Sequence, residues 1–196
     1  VRAINCILMA IMLLSPVPVS QAASAPGRTI APDDLVPGKK PRFDIRALHL
    51  TLRRSNGGAD PVKQTKEDVL KTIERGSKRG FNILMLKVNT AIQLKNTRKF
   101  ASQWAYTVEE IKEIIRAARD AGMEIIPEVN LLTHQHLLML QIDKGLMLND
   151  ADYNPNAPKV YDIVFSVLDE IIQIFEPDCI NIGHDEAYGI RKKVEM

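Results

Sequence analysis

His184, Asp185 and Glu186 stand in a row, directly after Gly183 and the stretch Cys179-Ile180-Asn181-Ile182. That stretch reads as a short buried strand. Three ionisable side chains at the exit of an apolar strand are costly to bury without partners. In parallel α/β folds ligands bind at the carboxyl ends of the strands, so the placement suits a site. Two adjacent carboxylates can also divide labour, one holding a proton while the other stays ionised. The same residues could instead open a helix, with Asp185 and Glu186 capping it and complementing its dipole. On these residues alone both readings stand.

Other residues could join such a site. His134 and His136 lie at the head of a candidate helix, where His136 reads as a polar-face residue. Arg46 precedes the first strand candidate and has a plain alternative as a strand-end surface charge. His49, inside that strand, reads as a lining residue rather than a catalyst. Imidazole and carboxylate ligands from His184, Asp185, Glu186 and His134 would suit several divalent metals. Adjacent residues on a turn rarely converge on one ion, so no metal is expected. Cys179 is left without a partner once Cys6 is assigned to a leader segment, which excludes an internal disulfide.

The elements that must position these residues follow in a regular order. Strands are expected at 47–52, 81–88, 123–130 and 179–182. The nearly continuous apolar run at 81–88 predicts cover on both faces. Pro127 is awkward for a central ladder unless it lies near the strand's end. Helices are expected at 65–79 and 107–121, with Thr65 and Thr107 as caps and Asp68 and Glu110 closing capping boxes. A third is expected at 161–175, and 131–140 reads as the start of another. The loop 89–105 is long enough to be functional, but reads first as a surface excursion pinned by Trp104. The order βαβαβαβ predicts a parallel sheet with right-handed crossovers. A (β/α)8 barrel takes about 250 residues, so the expected fold is a TIM-type partial barrel of about four βα units.

The 196-residue chain is 45% hydrophobic and 26% charged, an ordinary globular balance. A net charge of +2 without a dense basic run gives no reason to expect nucleic acid. Arg2 followed by the apolar run 4–14 and small-residue cleavage sites reads as a signal peptide over 1–24. Residues 25–40 read as a linker and 41–196 as the domain. Export to a periplasm or the outside is therefore expected, with no membrane association after cleavage.

Several separated stretches, in order, resemble glycoside hydrolase family 20, the β-N-acetylhexosaminidase family. Pro41-Arg42-Phe43-Asp44-Ile45-Arg46-Ala47 is similar to the approach to that family's first strand. Tyr106-Thr107-Val108-Glu109-Glu110-Ile111 resembles a helix opening, and 118–128 the approach to the third strand. Pro127-Glu128-Val129-Asn130 with Thr133-His134 resembles a further motif. Asn181-Ile182-Gly183-His184-Asp185-Glu186 is similar to the acidic signature. Thr133 and His184 replace glycines of the pattern, and 87–91 lacks its His and Asp.

The resemblance implies the N-terminal half of a TIM barrel that hydrolyses terminal N-acetylhexosamine residues by substrate-assisted, retaining catalysis. It implies Glu186 as the acid and Asp185 as the residue orienting the substrate's 2-acetamido group. Arg46 would bind sugar hydroxyls, His134 would support the acid, and His184 would border the sugar. No cofactor is implied, and the partner is an N-acetylhexosamine-containing glycan. The alternative is a non-catalytic carbohydrate-binding or self-associating half-barrel, since edge strands of an open sheet favour homo-oligomers.

Overall fold

The structure is a computed structural model that describes residues 43–52, 64–88, 90–135 and 138–187. The expected signal peptide and linker, together with Pro41, Arg42 and His136, lie outside the described residues. The chain divides into Val1–Asp44 and Ile45–Met196, and the second unit carries every element below.

Three strands form a parallel sheet in the order β1 (Ala47–Thr51), β2 (Ile83–Lys87), β3 (Glu124–Glu128). Their register aligns Thr51 with Lys87 and Lys87 with Glu128. The connecting helices are α1 (Lys66–Lys78) and α2 (Val108–Asp120). Thr65 and Thr107 cap them through complete capping boxes with Asp68 and Glu110, as the spacing predicts. A four-residue helix α3 (Met139–Ile142) follows β3, and then α4 (Pro158–Phe175). α4 starts earlier than its apolar stripe suggests because Pro158 fits the first turn, where its missing N–H costs nothing.

One face of the sheet is helix-covered. Leu84 and Leu86 are fully buried there, and Leu48 approaches α1 at Gly76. The apolar faces of α1, α2 and α4 close this core around Ile73, Ile111, Ile114, Val160 and Ile171. Strand alternation sends His49, Met85, Lys87, Ile126 and Glu128 to the opposite face. Ile83, Met85 and Lys87 are only half-buried, so β2 is not covered on both faces as its apolar run predicts. A short apolar run cannot separate two-sided burial from a face that is merely apolar.

The fourth strand is reduced to one parallel bridge, Glu128 to Asn181. Asn181 N–H donates to the Pro127 carbonyl at 3.0 Å, and Val129 N–H donates to the Asn181 carbonyl at 2.9 Å. The preceding rung would require Pro127 to donate to Cys179, and proline has no N–H. Pro127 is thus accommodated near the end of β3, with its missing donor on the side of the fourth strand. Cys179 to Asn181 are half-buried and Ile182 is exposed, which corrects the expectation of a buried strand. The helix expected to start within 131–140 does so only at Met139, and its expected first turn is corrected. Leu132 and His134 take left-handed φ values of 65° and 53°, which no right-handed helix accommodates.

Replacing Ile114, fully buried on α2, by Ala is expected to cost about 2–5 kcal/mol. Replacing exposed Ile172 by Ala is expected to stay within about 0.5 kcal/mol. Urea denaturation of the two variants measures both, and equal losses would contradict this assignment of the core.

Candidate functional site

The exits of β3 and of the fourth strand are drawn together by backbone hydrogen bonds. Leu131 N–H donates to the Ile182 carbonyl at 3.0 Å. The buried Thr133 hydroxyl donates to the Gly183 carbonyl at 3.4 Å. Buried Gln135 folds back on its own loop, its Nε2 donating to the carbonyls of Asn130 at 2.6 Å and Thr133 at 3.0 Å. These bonds satisfy the polar backbone of a tight loop that would otherwise be costly to bury.

The loop presents His134 to the acidic pair. His134 Nε2 lies 3.5 Å from Asp185 Oδ2 and 3.4 Å from Glu186 Oε2. One donor atom from each of the three residues lies within 4.8 Å of the others, near enough for a divalent ion to fit between them. More than half of each carboxylate side chain is open to solvent, so a substrate can reach both. The alternative in which Asp185 and Glu186 cap a following helix falls on residues outside those described.

Backbone strain gathers at the same place. Of the four non-glycine residues with positive φ among the described residues, Leu132, His134 and Glu186 belong to these two turns. Each such residue costs on the order of 1–3 kcal/mol, and such residues cluster at functional sites. Gly183, at φ +55°, adds a true glycine requirement. A Cβ there would stand 2.9 Å from Asn130 Oδ1 and 3.2 Å from the Val129 carbonyl oxygen.

A cavity of about 30 Å³ is lined by Thr90, Val129, Asn130, Gln135 and Met139. That is room for a water molecule and not for a sugar. A surface groove of about 620 Å³ between Lys95, Arg98, Lys112 and Glu170 contains none of the three clustered residues. Neither hollow is lined by the acidic pair, whose carboxylates are open to solvent beyond the ends of the strands.

A profile of glycosyl hydrolase family 20, catalytic domain, matches residues 81–193, more than half of the chain. The chain belongs to glycosyl hydrolase family 20. The β-hexosaminidase of Vibrio furnissii is 30% identical to this family 20 chain over 95 residues, which are 42% of the chain and 16% of that protein. The lacto-N-biosidase of Bifidobacterium bifidum is 22% identical over 156 residues, 75% of the chain and 13% of that protein. The chain therefore spans under a fifth of the length of either relative. Among solved structures, Flavobacterium johnsoniae chitobiase superposes with a TM-score of 0.67 at 23% identity, covering 79% of this chain and 25% of that one. A Streptomyces plicatus N-acetyl-β-hexosaminidase gives 0.63 at 21% identity, over 78% of this chain and 35% of that one. At such identities the likeness speaks for a shared α/β fold, that of the family's TIM-barrel enzymes.

The matched stretch of this family 20 chain contains His134, Asp185 and Glu186 but not Arg46. The structure brings the first three together and leaves Arg46 apart. Arg46 precedes β1, where its backbone N–H donates to Asn82 Oδ1 and its Nε to the Gly80 carbonyl. These partners hold it at the amino end of the sheet, opposite the cluster. His184 is exposed and stands outside the cluster, and partial desolvation of its ring lowers its pKa below the usual 6.5. Trp104, expected to pin its loop, is 42% exposed.

Sequence reasoning passed over a second set of residues. Glu128 is 5% exposed, with Oε1 2.8 Å from Lys87 Nζ and Oε2 3.1 Å from His49 Nε2. Asn181 Nδ2 donates to the same Oε2 at 3.1 Å. The signal was available: Lys87 and Glu128 are opposite charges ending adjacent strands, on the face that also carries His49.

Gly183→Ala in this family 20 chain is expected to destabilise by about 1–3 kcal/mol. The check is a lowered urea midpoint with an unchanged slope. An unchanged midpoint would contradict the close approach of Gly183 to Asn130.

Proposed function

We propose that this family 20 chain carries the acid-bearing part of a β-N-acetylhexosaminidase-type glycoside hydrolase. The reading rests on one observation above all: His134, Asp185 and Glu186 converge at the carboxyl ends of the strands. Glu186, protonated, gives its proton to the glycosidic oxygen as the leaving group departs. The carbonyl oxygen of the substrate's own 2-acetamido group attacks the anomeric carbon and forms an oxazolinium ion. Asp185 stays charged, orients the acetamido N–H and stabilises the developing positive charge. Water then attacks the anomeric carbon, Glu186 takes its proton, and the acetamido group is restored with retention of configuration. His134 supports Glu186 through Nε2. His184 borders the sugar. Arg46 is given no part, because its hydrogen bonds keep it at the far edge of the sheet.

In this reading the three strands and the Asn181 bridge are four βα units of a barrel, and the open face carrying His49, Lys87 and Glu128 is the barrel's interior. The substrate is a glycan ending in N-acetylhexosamine. The charged and apolar pattern of residues 2–14 supports export.

The purified chain is expected to release a chromogenic aglycone from a β-N-acetylglucosaminide. Glu186→Gln is expected to lower the rate by about 10²–10⁴-fold, the usual worth of a general acid. A folded chain without activity would overturn the hydrolase reading for this chain. Retained binding of N-acetylglucosamine in that case would favour the carbohydrate-binding alternative.

A further inference from the structure

The acidic pair is aimed by a short turn, and the turn is attached to a buried charge. Asn181 makes the attachment. Its Nδ2 donates to Glu128 Oε2 at 3.1 Å, and its Oδ1 accepts from Gly183 N–H at 2.9 Å. Nδ2 also lies 3.4 Å from Met85 Sδ, which is a weak acceptor. An amide has one accepting and one donating end. The carboxylate therefore decides which way Asn181 faces, and so directs its oxygen to Gly183. A carboxylate as buried as Glu128 is costly without partners, and Lys87 from β2 and His49 from β1 supply them.

We propose that Glu128 is a positioning residue for Asp185 and Glu186, acting through Asn181 on the Gly183 turn. Lys87 is the counter-charge that holds it, with His49 Nε2 beside the same carboxylate. The proposal deepens the hydrolase reading and rests on it for the role of the pair, but the hydrogen-bond relay is measurable without any hydrolysis. The Glu128 side chain makes its hydrogen bond and ion pairs with Asn181, Lys87 and His49, and none with Gly183 or the acidic pair. The side-chain hydrogen-bond route from Glu128 to Gly183 runs through Asn181, and Asn181→Ala separates it from the backbone route through Val129 and Asn130. The turn has other supports, namely Leu131 N–H on the Ile182 carbonyl and the Thr133 hydroxyl on the Gly183 carbonyl. The relay therefore sets the aim of the turn rather than its existence.

The test is amide hydrogen exchange by NMR on the full chain. In Asn181→Ala the Glu128–Lys87–His49 group is left intact, and Gly183 N–H is expected to exchange about five- to tenfold faster, the worth of one hydrogen bond. In Glu128→Gln the same amide is expected to quicken, with the carboxyl ¹³C signals of Asp185 and Glu186 displaced. The amides of α2 are expected to stay as in the parent, which separates this effect from general loosening. Lys87→Met gives a second route to the same group should Glu128→Gln not fold. Unchanged exchange at Gly183 in folded Glu128→Gln or Lys87→Met would overturn the proposal, as would equal quickening throughout α2. Failure of the hydrolase reading would show separately, as a parent chain that releases no aglycone.

Discussion

Everything at the site depends on how closely two stretches of backbone approach. Gly183 passes so near Val129 and Asn130 that a single methyl group would collide with both. That approach places the residues after β3 beside those after the fourth strand, and His134 meets Asp185 and Glu186 as a result. It is maintained by ordinary hydrogen bonds, which together offset the left-handed backbone of Leu132, His134 and Glu186. The scaffold beneath is conventional: a parallel sheet fixed in register, with α1, α2 and α4 buried against one face.

The other face gives the protein its character. The helix-facing residues on these strands are Leu, Ile or Pro127, whereas the opposite positions include His49, Lys87 and Glu128. Burying Glu128 there stabilises nothing by itself, since desolvation of an ion pair offsets much of its attraction. What the group provides is a fixed point at the end of β3 from which Asn181 and the Gly183 turn are aimed. Pro127 contributes in the opposite sense. By withholding one N–H it prevents the fourth strand from zipping onto β3 ahead of Asn181.

Much of this was legible in the chain. Thr65-x-x-Asp68 and Thr107-x-x-Glu110 announce α1 and α2, and the buried stripe Ile111, Ile114, Ile115, Ala118 follows from a period of 3.6. Adjacent carboxylates after a strand mark the site, and the resemblance to family 20 joined His134 to them. Other features were not legible, for identifiable reasons. Leu132 and His134 lie in an apolar, helix-like stretch, and only tertiary hydrogen bonds from Gln135 and Thr133 turn it into a left-handed loop. The position of Arg46 depends on the register of β1 against Asn82, which no local pattern encodes. The Glu128 group joins three strands far apart in sequence: Lys87 and Glu128 end their strands and His49 lies within its own, so the shared face marks them as neighbours only once the register is known.

In the proposed function Asp185 and Glu186, with His134, form a site shaped for the oxazolinium stage of N-acetylhexosaminide hydrolysis. The most direct measurement is calorimetric binding of a thiazoline analogue of that intermediate to the purified chain and to Asp185→Asn. The account predicts binding by the parent and a weakening of about tenfold or more in Asp185→Asn, since one charged hydrogen bond is worth about 1.5–3 kcal/mol. Equal binding by both, or none by the folded parent, would contradict it.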